Sequence, residues 1–123
     1  MALIPDPLRH LPLRPIEFEI LLVLMGEASH GYAIVKEAQK RWPGSRRMET
    51  GTLYRALRRL TKAGMVAPVD RRPTEDASGE RRRYFTITAF GKSVASAEAQ
   101  RLEAQVEVAR VRNLLSPVEG DAR

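Results

Sequence analysis

Residues 50–64, TGTLYRALRRLTKAG, constrain this 123-residue chain more than any other stretch. Leu53, Leu57 and Leu60 recur at i, i+4 and i+7, which is one apolar stripe along a helix. About half a turn away, at roughly 100° per residue, lie Arg55, Arg58, Arg59 and Lys62. Thr50 is placed to cap the start and Gly64 to stop the end. An apolar run, 65–69, follows, then a loop rich in turn formers, 71–80, and a second strand opening with Arg81, Arg82 and Arg83. In that strand Tyr84, Thr86 and Thr88 alternate with Phe85 and Ile87, the period-2 pattern of a half-buried strand. A helix with one buried and one cationic edge, leading into a cationic hairpin, suits a groove lined with phosphate.

The charge distribution supports that expectation. The chain carries a net charge of +6, and residues 40–85 hold 13 Lys and Arg against 5 Asp and Glu. The remaining residues hold 8 against 10, so the basicity belongs to the helix–hairpin segment and favours a polyanionic partner, double-stranded DNA above all. There is no cysteine, which excludes disulfides and thiolate ligands. His10 and His30 have no carboxylate cluster at ligand spacing, and no catalytic constellation stands out, so neither a metal, a cofactor nor an enzyme is expected. The longest apolar run, 20–25, is too short to cross a membrane, and the cytoplasm is the expected compartment.

Elsewhere the chain reads as helices. Residues 1–15 carry four prolines and form an N-terminal arm with one short turn between Pro7 and Pro12. A helix from about Pro15 to Met25 is apolar round most of its circumference, which suggests that Ile16 and Ile20 pack against more than their own domain. A second helix, 31–41, is capped by Ser29 and broken by Trp42 and Pro43. A long helix, 89–115, is capped by Thr88 and would extend about 40 Å. Its apolar residues, Val94, Leu102, Val106, Ala109, Val111 and Leu115 among them, exceed what the local chain can cover, and a second copy is the simplest cover. The expected fold is mainly α with a two-stranded β wing: a winged helix-turn-helix over 16–88, a C-terminal dimerisation helix over 89–116 and a tail over 117–123.

On this reading Thr50, Thr52, Tyr54 and Arg55 lie nearest the bases, and Arg58, Arg59 and Lys62 nearer the phosphates. Tyr54 sits at the core boundary, where it could bond a phosphate or finish packing the helix. Alternation along the strand puts Arg81 and Arg83 on one face and Arg82 on the other, so only some of them can touch a backbone. The competing reading is a protein-interaction module that uses the same fold without reading DNA.

The order of elements, and several ordered motifs, resemble the PadR family of transcriptional regulators. The matching residues are His30-Gly31-Tyr32 with Ile34, Gly51-Thr52-Leu53-Tyr54, and Ala56-Leu57 with Arg59-Leu60. Ala63-Gly64-Met65-Val66 and Arg82-Arg83-Tyr84-Phe85-Thr86-Ile87-Thr88 with Gly91 continue the match, which covers residues 16–91. The resemblance implies homodimers paired through the last helix, palindromic operators and, usually, repression. It also implies that Tyr32 and Tyr54 line the DNA-facing surface. Some members of the family release DNA when a small aromatic or cationic effector occupies the dimer interface. One such sensor stacks its ligand on a Trp of the last helix, and that helix has no Trp here.

Overall fold

A computed structural model describes residues 5–41, 49–69 and 83–116. A 3-10 turn, Pro7–His10, is capped by the Asp6 carboxylate, which accepts from the Leu8 amide at 3.0 Å. Helix α1, Pro15–Leu24, begins where a proline costs no helical hydrogen bond, and the Glu17 carboxylate accepts the Arg14 amide at 3.1 Å. Strand β1, Ser29–His30, leads directly into helix α2, Gly31–Arg41. Helix α3, Thr50–Lys62, is followed by strands β2, Val66–Val69, and β3, Tyr84–Ile87, and by helix α4, Ala89–Val111.

The two expected strands pair antiparallel, Val66 opposite Ile87 and Val69 opposite Tyr84. A third strand was not foreseen. β1 pairs with the other edge of β3, Ser29 opposite Phe85 and His30 opposite Tyr84, so the sheet order is β1-β3-β2. Pro68 is tolerated because β2 is an edge strand. Ser29 is thereby committed to the sheet, and the cap of α2 falls to His30, whose Nδ1 accepts the Ala33 amide at 3.2 Å. A ring nitrogen that accepts is unprotonated.

Helices α3 and α4 end in the same way. After α3, Gly64 adopts φ +81°, Gly64 N–H donates to Thr61 and Met65 N–H to Leu60, closing a Schellman motif. After α4, Asn113 at φ 63° takes the glycine's part, with Asn113 N–H on Arg110 and Leu114 N–H on Ala109. The helix therefore stops four residues short of the expected Leu115.

The core gathers Leu21 and Leu24 of α1, Ile34 of α2, Leu53, Leu57 and Leu60 of α3, Phe85 of β3 and Val94 of α4. Helix α1 is apolar round most of its circumference, and α2, α3, α4 and β3 all pack on it. That corrects two expectations. Ile20 and Val94, read as dimer-interface residues, are both 0 % exposed, enclosed by the protomer's own helices. The start of α4 is riveted to the turn after α3: Thr88 Oγ1 donates to the Gly64 carbonyl at 2.6 Å and accepts the Gly91 amide at 3.0 Å. A Cβ on Gly91 would run into the Met65 carbonyl.

The described part of the N-terminal arm packs on the domain. Leu13 is buried, and His10 meets Phe90 of α4 edge to face with ring centroids 5.3 Å apart. Glu98 of α4, 2 % exposed, accepts the Leu13 amide at 3.2 Å and two guanidinium bonds from Arg101 at 2.6 and 3.0 Å. Those bonds hold the Glu98 carboxyl below its ordinary range, Arg101 first, against the opposing effect of burial. Beyond this point α4 leaves the domain: Leu102 is half-buried, and Val106, Val108, Val111, Leu114 and Leu115 are exposed.

Candidate nucleic-acid interface

Burial of Leu53, Ala56, Leu57 and Leu60 fixes which side of α3 faces out. Gly51, Arg55, Arg58 and Lys62 fall on the opposite side and are all exposed. Among the described residues none of the three cations has an acidic partner. Arg55 folds back over the first turn, where its Nη2 donates to Thr52 Oγ1 at 3.3 Å. Thr50 is exposed at the helix start and Thr52 half-buried beside it. A helix that presents hydroxyls and an arginine at its N-terminal end and cations further on matches the order in which such helices meet bases and then phosphates.

Tyr54 takes part in packing the helix. Its phenol lies over Gly31 at the start of α2, where a Cβ would come within 2.5 Å of Oη and 2.8 Å of Cζ. The ring thus packs α3 onto α2 through space that only glycine leaves open, while the residue remains 43 % exposed. Tyr32, the residue after Gly31, is more exposed than Tyr54. His30 stacks on Tyr32 at 6.5 Å and meets Tyr84 of β3 edge to face at 5.2 Å. Lys36 Nζ lies over the Tyr32 ring, 5.3 Å from its centroid. Lys36 escaped the sequence reading, although Tyr and Lys at i and i+4 on one helix was a usable signal. The start of α2 and the outer face of α3 therefore form one surface of phenols and cations.

Arg59 departs from the expected phosphate role. Its Nε donates to Glu17 Oε2 at 2.8 Å, which ties the guanidinium to α1 while the side chain stays 37% exposed. Glu19, on the other flank of α1, accepts Arg41 Nε at 2.7 Å. Neither carboxylate was foreseen as buried, because Glu on a helix ordinarily marks a solvent face. Arg83 is exposed just before β3. Arg81 lies outside the described residues, as do Arg82 and the wing loop, 71–80. Of the expected dimer residues, Ile16, Leu102 and Ala109 are half-buried and Val106, Val111 and Leu115 exposed. No group of metal-ligating side chains occurs among the described residues, and no helix there is long and apolar enough to cross a membrane.

Comparison with known proteins agrees with this geometry. A family model described as the transcriptional regulator PadR-like family matches residues 20–97. Among solved structures, a PadR family transcription regulator from Clostridium difficile R20291 is 26% identical, with a TM-score of 0.66 over 77% of this chain and 94% of that one. A transcriptional regulator from Clostridium thermocellum is 25% identical, with a TM-score of 0.65 over 89% of this chain and 96% of that one. A PadR-like transcriptional regulator from Bacillus cereus ATCC 14579, 22% identical with a TM-score of 0.63 over 84% and 93%, shares the fold. No protein of curated function matches the chain.

Proposed function

Because the chain belongs to the PadR-like family of transcriptional regulators, we propose that it is a homodimeric repressor that reads a pseudo-palindromic operator. The outer face of α3 carries this reading, with Arg55, Arg58 and Lys62 exposed and without an acidic partner among the described residues. Thr50, Thr52, Tyr54 and Arg55 would meet base edges in the major groove, while Arg58, Lys62, Tyr32 and Lys36 would meet phosphates. Arg83 and Arg81 would follow the backbone beside the wing.

The outer half of α4 supports the dimer. Val106, Val108 and Val111 are 45%, 58% and 70% exposed on a helix that has already left its own core. At about 100° per residue Val108, Val111 and Leu115 lie on one side of the helix and Leu102, Val106 and Ala109 on the other, and the same faces on a second copy would be self-complementary. Ile16 of α1 would border the pairing. The two α3 helices would then enter successive major grooves, with half-sites about 34–36 Å apart. An effector that releases the operator would lodge between the paired α4 helices, against Val106 and Ala109.

Selection of bound sequences from a random duplex pool, repeated at two salt concentrations, tests the proposal. A palindromic consensus that survives the higher salt is expected, and V108D/V111D should turn a dimer into a monomer in sedimentation and abolish the consensus. Binding without a consensus that vanishes with salt would instead favour a protein-interaction module.

A further inference from the structure

Helix α1 carries two buried carboxylates on opposite flanks, about 200° apart at 100° per residue. Each is claimed by a guanidinium from the last turn of a neighbouring helix: Glu19 by Arg41 of α2, and Glu17 by Arg59 of α3. We propose that Glu17 is a positioning residue for the duplex-contacting helix: it withholds Arg59 from phosphate and fixes the rotation of α3 about its own axis. This inference rests on the reading that α3 enters a duplex.

The Glu17 side chain is only 12% exposed, and both of its oxygens are in use. Oε1 accepts the Arg14 amide at 3.1 Å and Oε2 accepts Arg59 Nε at 2.8 Å. A carboxylate with so little access to water loses much if its guanidinium leaves, which makes the pair a fixed part of the fold. Arg59 sits on the flank of α3, about 70° round from the mean direction of Arg55, Arg58 and Lys62. The apolar stripe sets how deeply α3 sits, but apolar burial is non-directional. The charge-assisted bond is directional and narrows the rotation that the apolar stripe and the Tyr54 ring already limit. Its effect is to hold the outer face centred on Arg55, Arg58 and Lys62, so that three cations rather than four are offered by this helix.

The test is the salt dependence of binding to a mixed-sequence duplex about three helical turns long, followed by fluorescence anisotropy over a range of NaCl concentrations. The log–log slope counts released counterions, about 0.9 per phosphate, and a fold that is merely loosened does not alter that count. Arg58→Met should flatten the slope by about 1.8 per dimer, one phosphate in each half-site, whereas Arg59→Met should leave it at the wild-type value. Glu17→Gln should free Arg59 in both copies and steepen the slope by up to about 1.8 per dimer, and the double variant Glu17→Gln/Arg59→Met should return it to wild type. Circular dichroism establishes that each variant is folded. Should Glu17→Gln fail to fold, the comparison of Arg58→Met with Arg59→Met decides alone. Equal flattening by both methionine variants, or an unchanged slope for folded Glu17→Gln, overturns the proposal while leaving duplex binding intact. A wild-type protein that does not bind the duplex overturns the underlying reading as well.

Discussion

Replacing Glu98 by glutamine alters one atom where the N-terminal segment meets α4, and the structure fixes what it should cost. The carboxylate accepts the Leu13 amide at 3.2 Å and the Arg101 guanidinium at 2.6 and 3.0 Å, and the residue is 2 % exposed. Glutamine keeps one acceptor oxygen but turns an NH2 toward donors, so at least one charge-assisted bond is lost without leaving a cavity. Such a bond is worth about 2 kcal/mol. For a chain of 123 residues, 1 kcal/mol corresponds to about 4 °C in Tm, so E98Q should melt about 8 °C below wild type at neutral pH. The difference should also depend on pH in a defined direction. The folded carboxyl lies below its ordinary value of 4.5, chiefly because Arg101 bonds to it, with help from the Leu13 amide and the Arg101 charge and against the cost of burial. A group with a depressed folded pKa contributes stability that is complete above the unfolded value and is lost as the pH falls through the folded one. Thermal unfolding of both proteins at one concentration, from about pH 7 to about pH 3, should show a constant gap above the ordinary carboxylate value and a closing gap below it. A gap that persists unchanged at the acid end, or is absent at neutral pH, would falsify the claim that an ionised Glu98 ties the two segments together.

Two smaller perturbations probe how α3 and α4 are seated. Gly31→Ala puts a methyl where the Tyr54 ring lies and should destabilise by about 1–3 kcal/mol. Adding Tyr54→Ala should remove most of that extra cost in a double-mutant cycle followed by urea unfolding, and strictly additive losses would mean that the two residues do not meet. Thr88→Ala removes both the cap of α4 and the bond to Gly64, and should cost about 1–2 kcal/mol in the same assay. Thr88→Ser keeps the hydroxyl and should recover most of that loss; a serine variant no better than alanine would rule out the capping role.

Local periodicity made much of this architecture legible. The Leu53, Leu57, Leu60 stripe predicted which face of α3 is buried, Pro15 and Gly64 marked helix ends, and the alternation over 84–87 gave β3 its buried side. Periodicity shows that a face is covered, not what covers it, and there the reading failed. Ile20 and Val94 were assigned to a partner because a short chain seemed unable to enclose them, yet α1 lies at the centre of four elements. The long-range ion pairs were equally invisible: Glu17 and Arg59 are 42 residues apart, and nothing local distinguishes them from solvated charges. Strand β1 was hidden because two residues are too few to show an alternation. The cationic surface itself was readable, since exposure of Arg55, Arg58 and Lys62 follows from the stripe opposite them.

The way α3 is held bears on how a regulator of this kind changes its targets. The anchors described lie on the inner face or the flanks: four apolar side chains, the Tyr54 ring over Gly31 and the Arg59 tie to α1. Residues 51, 55, 58 and 62 lie outside that set, and surface substitutions away from structural anchors usually shift stability by no more than about 0.5 kcal/mol. On the proposed reading Tyr54 serves both packing and contact, whereas Arg55, Arg58 and Lys62 could change with little effect on folding. A duplicated copy could drift to a new operator through viable single steps, and an engineer could rewrite the outer positions as a library without re-optimising the scaffold.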